Sequence, residues 1–166
     1  MIQMPGGKNA MISPELLRRY PYFAKLTDPQ LRALAMIAEE TSYDAGSALL
    51  LECDPADWFY LLIEGSLDLT YKSEETYHPK TSKVFQVGEV NPGEIFGVSA
   101  LIEPYQYNAT ATASLQSRAI KFDAKALRTL ADLDCSLGYA MMQQIAKAVM
   151  ERLAYTRIQL AAARAE

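Results

Sequence analysis

At 166 residues and 18.4 kDa, with 50% hydrophobic and 22% charged residues, the chain is sized for one domain with an ordinary core. A net charge of -4 and a pI near 5.1 argue against a free-standing nucleic-acid binder, which carries a basic face. No apolar run approaches the ~20 residues needed to span a bilayer, so no membrane association is expected. Met1 to Ala10 holds Pro5, Gly6, Gly7 and a single lysine without an apolar core. Residues 1–11 therefore read as a flexible arm rather than a signal peptide, and 12–166 as one cytoplasmic domain. Cys53 and Cys135 are too few and too far apart for a disulfide framework, and read as reduced, buried thiols.

In chain order, residues 12–42 form a helical front. Ser13-Pro14-Glu15 is an N-cap followed by a first-turn proline, and Tyr20-Pro21 ends that helix. Thr27-Asp28-Pro29-Gln30 opens a second, whose apolar face is Leu31, Leu34, Ala35 and Ala38. Residues 43–122 are built of short strand-like runs: Ala48–Leu51, Trp58–Ile63, Ser66–Tyr71, Lys83–Val90, Ala109–Ala113 and Arg118–Phe122. Glycine, proline or polar turns separate them, which predicts an antiparallel sandwich or barrel rather than β-α-β units. Glu64-Gly65 is a tight-turn signal, and Lys72 to Ser82 reads as an exposed hairpin loop.

Residues 123–166 return to helix. Asp123 caps a short helix to about Ala131, and Asp134 or a neighbour opens a long one that contains no proline. Thirty helical residues measure roughly 45 Å, more than a small barrel can cover. Met142, Ile145, Val149, Leu153, Thr156 and Leu160 form one seam at three- and four-residue steps, while Leu137, Met141, Ala148 and Tyr155 begin a second apolar edge. One edge can lie on the barrel. The other is expected to bury itself in a second copy, making a homodimer.

Taken together, these segments resemble the cyclic-nucleotide-binding domain of Crp/Fnr-type regulators and cyclic-nucleotide-dependent kinases. The front carries Phe23, Leu26, Leu31, Leu34, Tyr43, Gly46 and Leu49, and the acidic turn and strand carry Asp54-Pro55-Ala56-Asp57-Trp58-Phe59-Tyr60, Ile63 and Gly65. The phosphate-binding cassette is matched by Pro92-Gly93-Glu94-Ile95-Phe96-Gly97, Ala100-Leu101-Ile102 and Ala109-Thr110. The long helix of the Crp/Fnr branch is matched by Leu137-Gly138-Tyr139, Met141-Met142, Ile145-Ala146, Arg152-Leu153 and Thr156-Arg157. The resemblance implies a mainly β fold, an eight-stranded double-stranded β-helix jelly-roll barrel flanked by helices. It also places a ligand site at Phe96, Gly97, Val98, Ser99, Ala100, Tyr107, Asn108 and Ala109, with Thr156 and Arg157 reaching in from the long helix.

Two departures change what that site can hold. Where the family has a glutamate that accepts from the ribose hydroxyl, this chain has Val98; where it has the arginine that contacts the cyclic phosphate, an ungapped count places Tyr107. A phosphate in a partly dry pocket needs charge, and neither Tyr107 nor Asn108 supplies any. Val98 accepts no hydrogen bond, so a ribose hydroxyl buried against it costs roughly 1–3 kcal/mol. Together the losses weaken a cyclic nucleotide by several powers of ten, at about 1.4 kcal/mol per tenfold. No cofactor is therefore expected, cyclic AMP included. Backbone N–H groups at Gly97–Ala100 remain available for an anion. Arg157 could bring a replacement charge, although a solvated position suits it better.

Enzyme readings fare poorly. A cupin-type metal site needs several histidines, and His78 stands alone in a polar loop, which also leaves no catalytic triad. Asp54 and Asp57 fit a turn, and Tyr71, Tyr105 and Tyr107 fit sheet packing better than ligand stacking. With Glu166 following directly on the long helix, DNA binding by this chain alone is not expected. Two readings lead: a non-catalytic sensor with a diverged pocket for a small ligand, or an interaction homodimer whose pocket is filled by Tyr107. A cupin-type enzyme is the remote third.

Overall fold

The computed structural model describes residues 11–74 and 82–165. At the front, Leu16 N donates to Ser13 Oγ at 3.1 Å and opens α1, Pro14–Arg18. A 3-10 turn at Pro21–Phe23 follows, and a reciprocal capping box between Thr27 and Gln30 opens α2, Asp28–Met36. Ala38 does not extend the face of α2. It starts β1, Ala38–Tyr43, so the β region begins within the stretch read as helical front. The sequence of β1 is weak as a strand, and its state is fixed by pairing, from Ala38 opposite Phe122 to Tyr43 opposite Ser117.

Seven further strands follow: β2, Ala48–Leu50; β3, Trp58–Glu64; β4, Leu67–Glu74; β5, Ser82–Val90; β6, Ile95–Phe96; β7, Thr110–Ala113; and β8, Ser117–Asp123. The expected Lys72–Ser82 loop is shorter than read, because pairing carries β4 through Glu74 and resumes with β5 at Ser82. Its centre, with His78, lies outside the described residues, as does most of the N-terminal arm. The eight strands form two four-stranded sheets in the orders β1-β8-β3-β6 and β2-β7-β4-β5. They face each other as the two layers of the expected jelly roll, without closing into a barrel.

Burial is asymmetric between the sheets. Phe59 to Leu62 of β3 are buried without a break, because one face meets the opposing sheet and the other meets the helices. The seal is an aromatic cluster. Tyr22 and Phe23 stand edge-on at 4.8 Å, and Phe23 and Phe59 each pack on Phe122 at 5.6 and 6.0 Å between ring centres. Each fully buried side chain of this size contributes ~1.5–3 kcal/mol. In contrast, β5 is an edge strand, with Val84 and Phe85 exposed.

Asp123 caps α3, Ala124–Leu133, through Ala126 N at 2.7 Å. Asp134 caps α4, Cys135–Arg164, through Leu137 N at 3.1 Å and is tied to α2 by Gln30 Nε2 at 2.8 Å. Gly138 lets α4 lie close to α3, since a Cβ there would stand 3.0 Å from the Ala131 carbonyl oxygen. Leu137, Met141 and Ile145 are buried, so Ile145 belongs to the docked face and not to the seam expected to pair with a second copy. Steps of four carry the docked face from Leu137 through Met141 to Ile145. Both cysteines are free but exposed, contrary to the buried reading. Cys53 occupies a turn at φ 71 that holds its thiol away from the core; Cys135 is the first residue of α4, on a helix end that faces solvent.

Candidate ligand-binding site

A cavity of about 280 Å³ lies between the sheet β2-β7-β4-β5 and the second half of α4. Leu50, Leu69 and Val87 form its floor; Phe96 to Ser99 and Tyr107 to Ala109 form its walls; Val149, Arg152, Leu153 and Thr156 form its roof. Seven of the eight cassette positions named from sequence are therefore gathered here. Ala100 is buried just behind the wall, where its carbonyl accepts from Arg128 Nη1 at 2.6 Å and its N–H donates to Gly97 at 3.1 Å. Of the two helix positions, Thr156 lines the cavity and Arg157 does not, being exposed on α4.

The wall is held by local backbone geometry. Gly97 sits at φ 66, and a Cβ there would meet Tyr60 Cδ2 at 3.0 Å and the Trp58 carbonyl oxygen at 3.1 Å. Only glycine permits this turn without strain. Behind it, the Tyr60 and Phe96 rings stack at 4.7 Å with an 11° tilt. The opposite wall is clamped to the segment after β2. Cys53 N donates to Tyr107 O at 2.9 Å, Tyr107 N to Asp54 O at 3.0 Å, and Ala56 N to Tyr105 O at 2.8 Å. Asp54 and Asp57 thus lie in a structural turn.

Tyr107 is fixed at both ends. Its hydroxyl donates to Trp58 O at 2.7 Å and accepts from Trp58 N at 3.1 Å. Burial pushes the phenol up to about 12, partly opposed by the bond to the Trp58 backbone. The ring lines the cavity while the hydroxyl is committed elsewhere, so Tyr107 neither fills the space nor offers it a donor. Tyr71, Tyr105 and Tyr107 are not brought together: Tyr71 is exposed on β4, and Tyr105 lies under the Arg128 guanidinium at 4.1 Å.

Among the described residues, the one charged side chain lining the cavity is Arg152, which the sequence matches to the family's long helix without assigning it to the site. Its Nη2 donates to Ile95 O at 2.6 Å. Burial lowers the guanidinium pKa, against the favourable fields of Glu94 and Glu151. The signal was present in the spacing: Leu137, Met141, Ile145, Ala148 and Arg152 follow one stripe of α4, so a cation stands where the stripe calls for an apolar residue. Glu94, Glu103 and Arg118 are not among the lining residues. Glu94 accepts from Asn91 N at 2.9 Å beside a neighbouring groove, Glu103 is exposed, and Arg118 pairs with Glu40 and Glu64 at 2.9 and 2.7 Å. Among the described residues no group of three or more His, Cys, Asp or Glu is placed to hold a metal ion, and no helix is long and apolar enough to cross a membrane.

A jelly roll whose turn-and-wall cassette faces a long C-terminal helix defines the class of cyclic-nucleotide-binding domains. The family model for the cyclic nucleotide-binding domain matches residues 40–134, and the chain belongs to that family. A Geobacter metallireducens GS-15 protein classed as cyclic nucleotide-binding is similar at 40% identity and a TM-score of 0.74, covering 86% of this chain and 99% of that one. The sensor domain of the transcriptional regulator DNR from Pseudomonas aeruginosa is similar at 25% identity and a TM-score of 0.63, covering 84% and 95%. A cAMP-dependent protein kinase regulatory subunit of Dictyostelium discoideum is 25% identical over 74% of this chain, which spans 37% of that longer protein.

Proposed function

We propose that the chain is a non-catalytic regulatory or sensor module that holds a small ligand under the second half of α4 and passes binding on through that helix. The observation that carries this reading is the open cavity beside Val98 and Tyr107, which Tyr107 borders without filling. Its volume is at the lower edge of the ~300–1,000 Å³ usual for small-molecule sites. The regulatory character of the kinase subunit and of the DNR sensor domain supports the same class of role.

A cyclic nucleotide suits this cavity poorly. Val98 offers the ribose no acceptor, and the hydroxyl of Tyr107 is already shared with Trp58. The helix is also suited to pairing with a second copy. Met142, Val149, Leu153 and Leu160 are 40%, 46%, 47% and 50% exposed. With Ala146 and Thr156 added, they repeat at alternating steps of four and three, the heptad spacing of a two-stranded coiled coil. Val149, Leu153 and Thr156 then belong both to the roof of the cavity and to the dimer seam, so a ligand beneath them acts directly on self-association.

A thermal-shift screen with cyclic AMP, cyclic GMP, cyclic dinucleotides and small acids tests the pocket, because a ligand bound only to the folded state raises its stability by mass action. Stabilisation by a compound other than a cyclic nucleotide is the expected result. No shift with any of them at millimolar concentration refutes the sensor reading and leaves an interaction homodimer.

A further inference from the structure

Resting on the sensor reading, we infer that the cavity selects a small organic monoanion, a carboxylate carried on an apolar body, and that Arg152 is the residue that receives the carboxylate. The composition of the lining carries the inference. Leu50, Leu69, Val87, Phe96, Val98 and Leu153 make most of the surface apolar, and the polar remainder, Ser99, Asn108 and Thr156, is neutral. Among the described residues no aspartate, glutamate, lysine or histidine lines the space, and Arg152 is its single charge.

The guanidinium is only partly satisfied by the protein. Nη2 is held by one neutral carbonyl, that of Ile95, and Nε and Nη1 make no hydrogen bond to a described residue. The two acids whose fields reach it do not pair with it directly: Glu94 Oε2 accepts from the Asn91 N–H, and Glu151 is exposed beside the neighbouring groove, with no ion pair to Arg152. A guanidinium in a partly dry space with one neutral partner is undersatisfied, and its forked donors match the two oxygens of a carboxylate. The neighbouring groove is a different environment. It carries Glu89, Glu94 and Glu151 against Lys147 and the same Arg152, a balance that disfavours an anion there. An anion drawn to Arg152 is therefore directed to the side of Val98 and Thr156.

The test is calorimetric titration of the full chain with benzoate and hexanoate, with benzamide and hexanamide as neutral counterparts, and with cyclic AMP. The acids are expected to bind at least ~10-fold more tightly than the amides, the ratio that ~1.4 kcal/mol represents. Arg152→Met, which keeps the length of the stem, should bring that ratio close to one while leaving amide affinity in place, and Arg152→Lys should retain part of it. Val98→Trp, which fills the cavity, should abolish binding of both. If Arg152→Met does not fold, the Nε–H resonance of Arg152 in the unaltered protein gives the answer, since it must move with benzoate and stay in place with benzamide. Equal binding of acids and amides, or an unmoved resonance, overturns the assignment of Arg152 and leaves the pocket standing. Cyclic AMP binding more tightly than any acid also overturns it. Binding of none of the probes removes the pocket and this inference together.

Discussion

The two halves of α4 are one continuous helix with different surroundings. Leu137, Met141 and Ile145, in the first half, are at most 3% exposed and are held by α3, the front helices and the Tyr22 hydroxyl on Met141 O at 3.3 Å. In the second half, Met150 and Ile158 are each 69% exposed. Helix propensity does not account for the difference, since the buried first half carries Cys135, Ser136, Gly138 and Tyr139, while the exposed second half is the richer in alanine, leucine and arginine. The difference is what lies underneath: a solid core below the first half and a cavity below the second. A helix in this arrangement has a buried base and an exposed outer half, which the proposed function treats as a lever set by what occupies the cavity.

The largest effect should come from removing the base. Leu137→Ala should cost about 2–5 kcal/mol in urea denaturation, as buried leucine truncations do, whereas Ile158→Ala should stay within about 0.5 kcal/mol when measured at high dilution. Equal losses would erase the contrast between the halves. Next, Gly97→Ala should cost about 1–3 kcal/mol, because it combines a left-handed backbone with contacts at 3.0 and 3.1 Å to Tyr60 and Trp58. The variant should also lose any ligand response in a thermal shift, since the wall under the lever moves.

Tyr107→Phe should cost about 1–3 kcal/mol by leaving the Trp58 backbone groups without their partner. It also carries a pH signature. The folded phenol is raised to about 12 from its ordinary 10, so the native state holds the proton more tightly than the unfolded chain. Stability should then fall as pH rises from 10 towards 12, and Tyr107→Phe should lessen that slope in alkaline unfolding, to which Tyr22, Tyr43 and Tyr60, also raised by burial, contribute as well. The smallest effect concerns the start of the base. Gln30 and the Leu137 N–H hold the half-buried Asp134 carboxyl below its ordinary value. Its contribution is therefore present above the unfolded value of 3.8 and is lost as pH falls through the folded one. The melting-temperature gap between the native chain and Asp134→Ala should narrow in acid and stay constant from pH 5 upwards.

Much of the fold was legible because local chemistry and tertiary structure agree. The Ser13, Thr27, Asp123 and Asp134 caps, the strand runs and the turn at Gly65 all stand where the sequence places them. Strand β1 was misread because Ala38 to Ser42 carry no strand pattern, and their state comes from pairing with residues distant in sequence. At the site, the cassette residues were placed by resemblance and gathered by the fold. The resemblance points to Arg157, which is exposed outside the site, whereas Arg152, on the stripe set by Leu137 and Met141, lines it. Ile145 was assigned to the outer seam because spacings of three and four residues suit both faces of a helix. Only contact with the sandwich decides between them.

The most direct test of the two-halves account is hydrogen exchange along α4, followed as a function of protein concentration. The account predicts that amides of residues 137–148 keep the same protection at every concentration, while those of 149–164 are weakly protected when dilute and gain protection as the chain is concentrated. Equal, concentration-independent protection along the whole helix would contradict it.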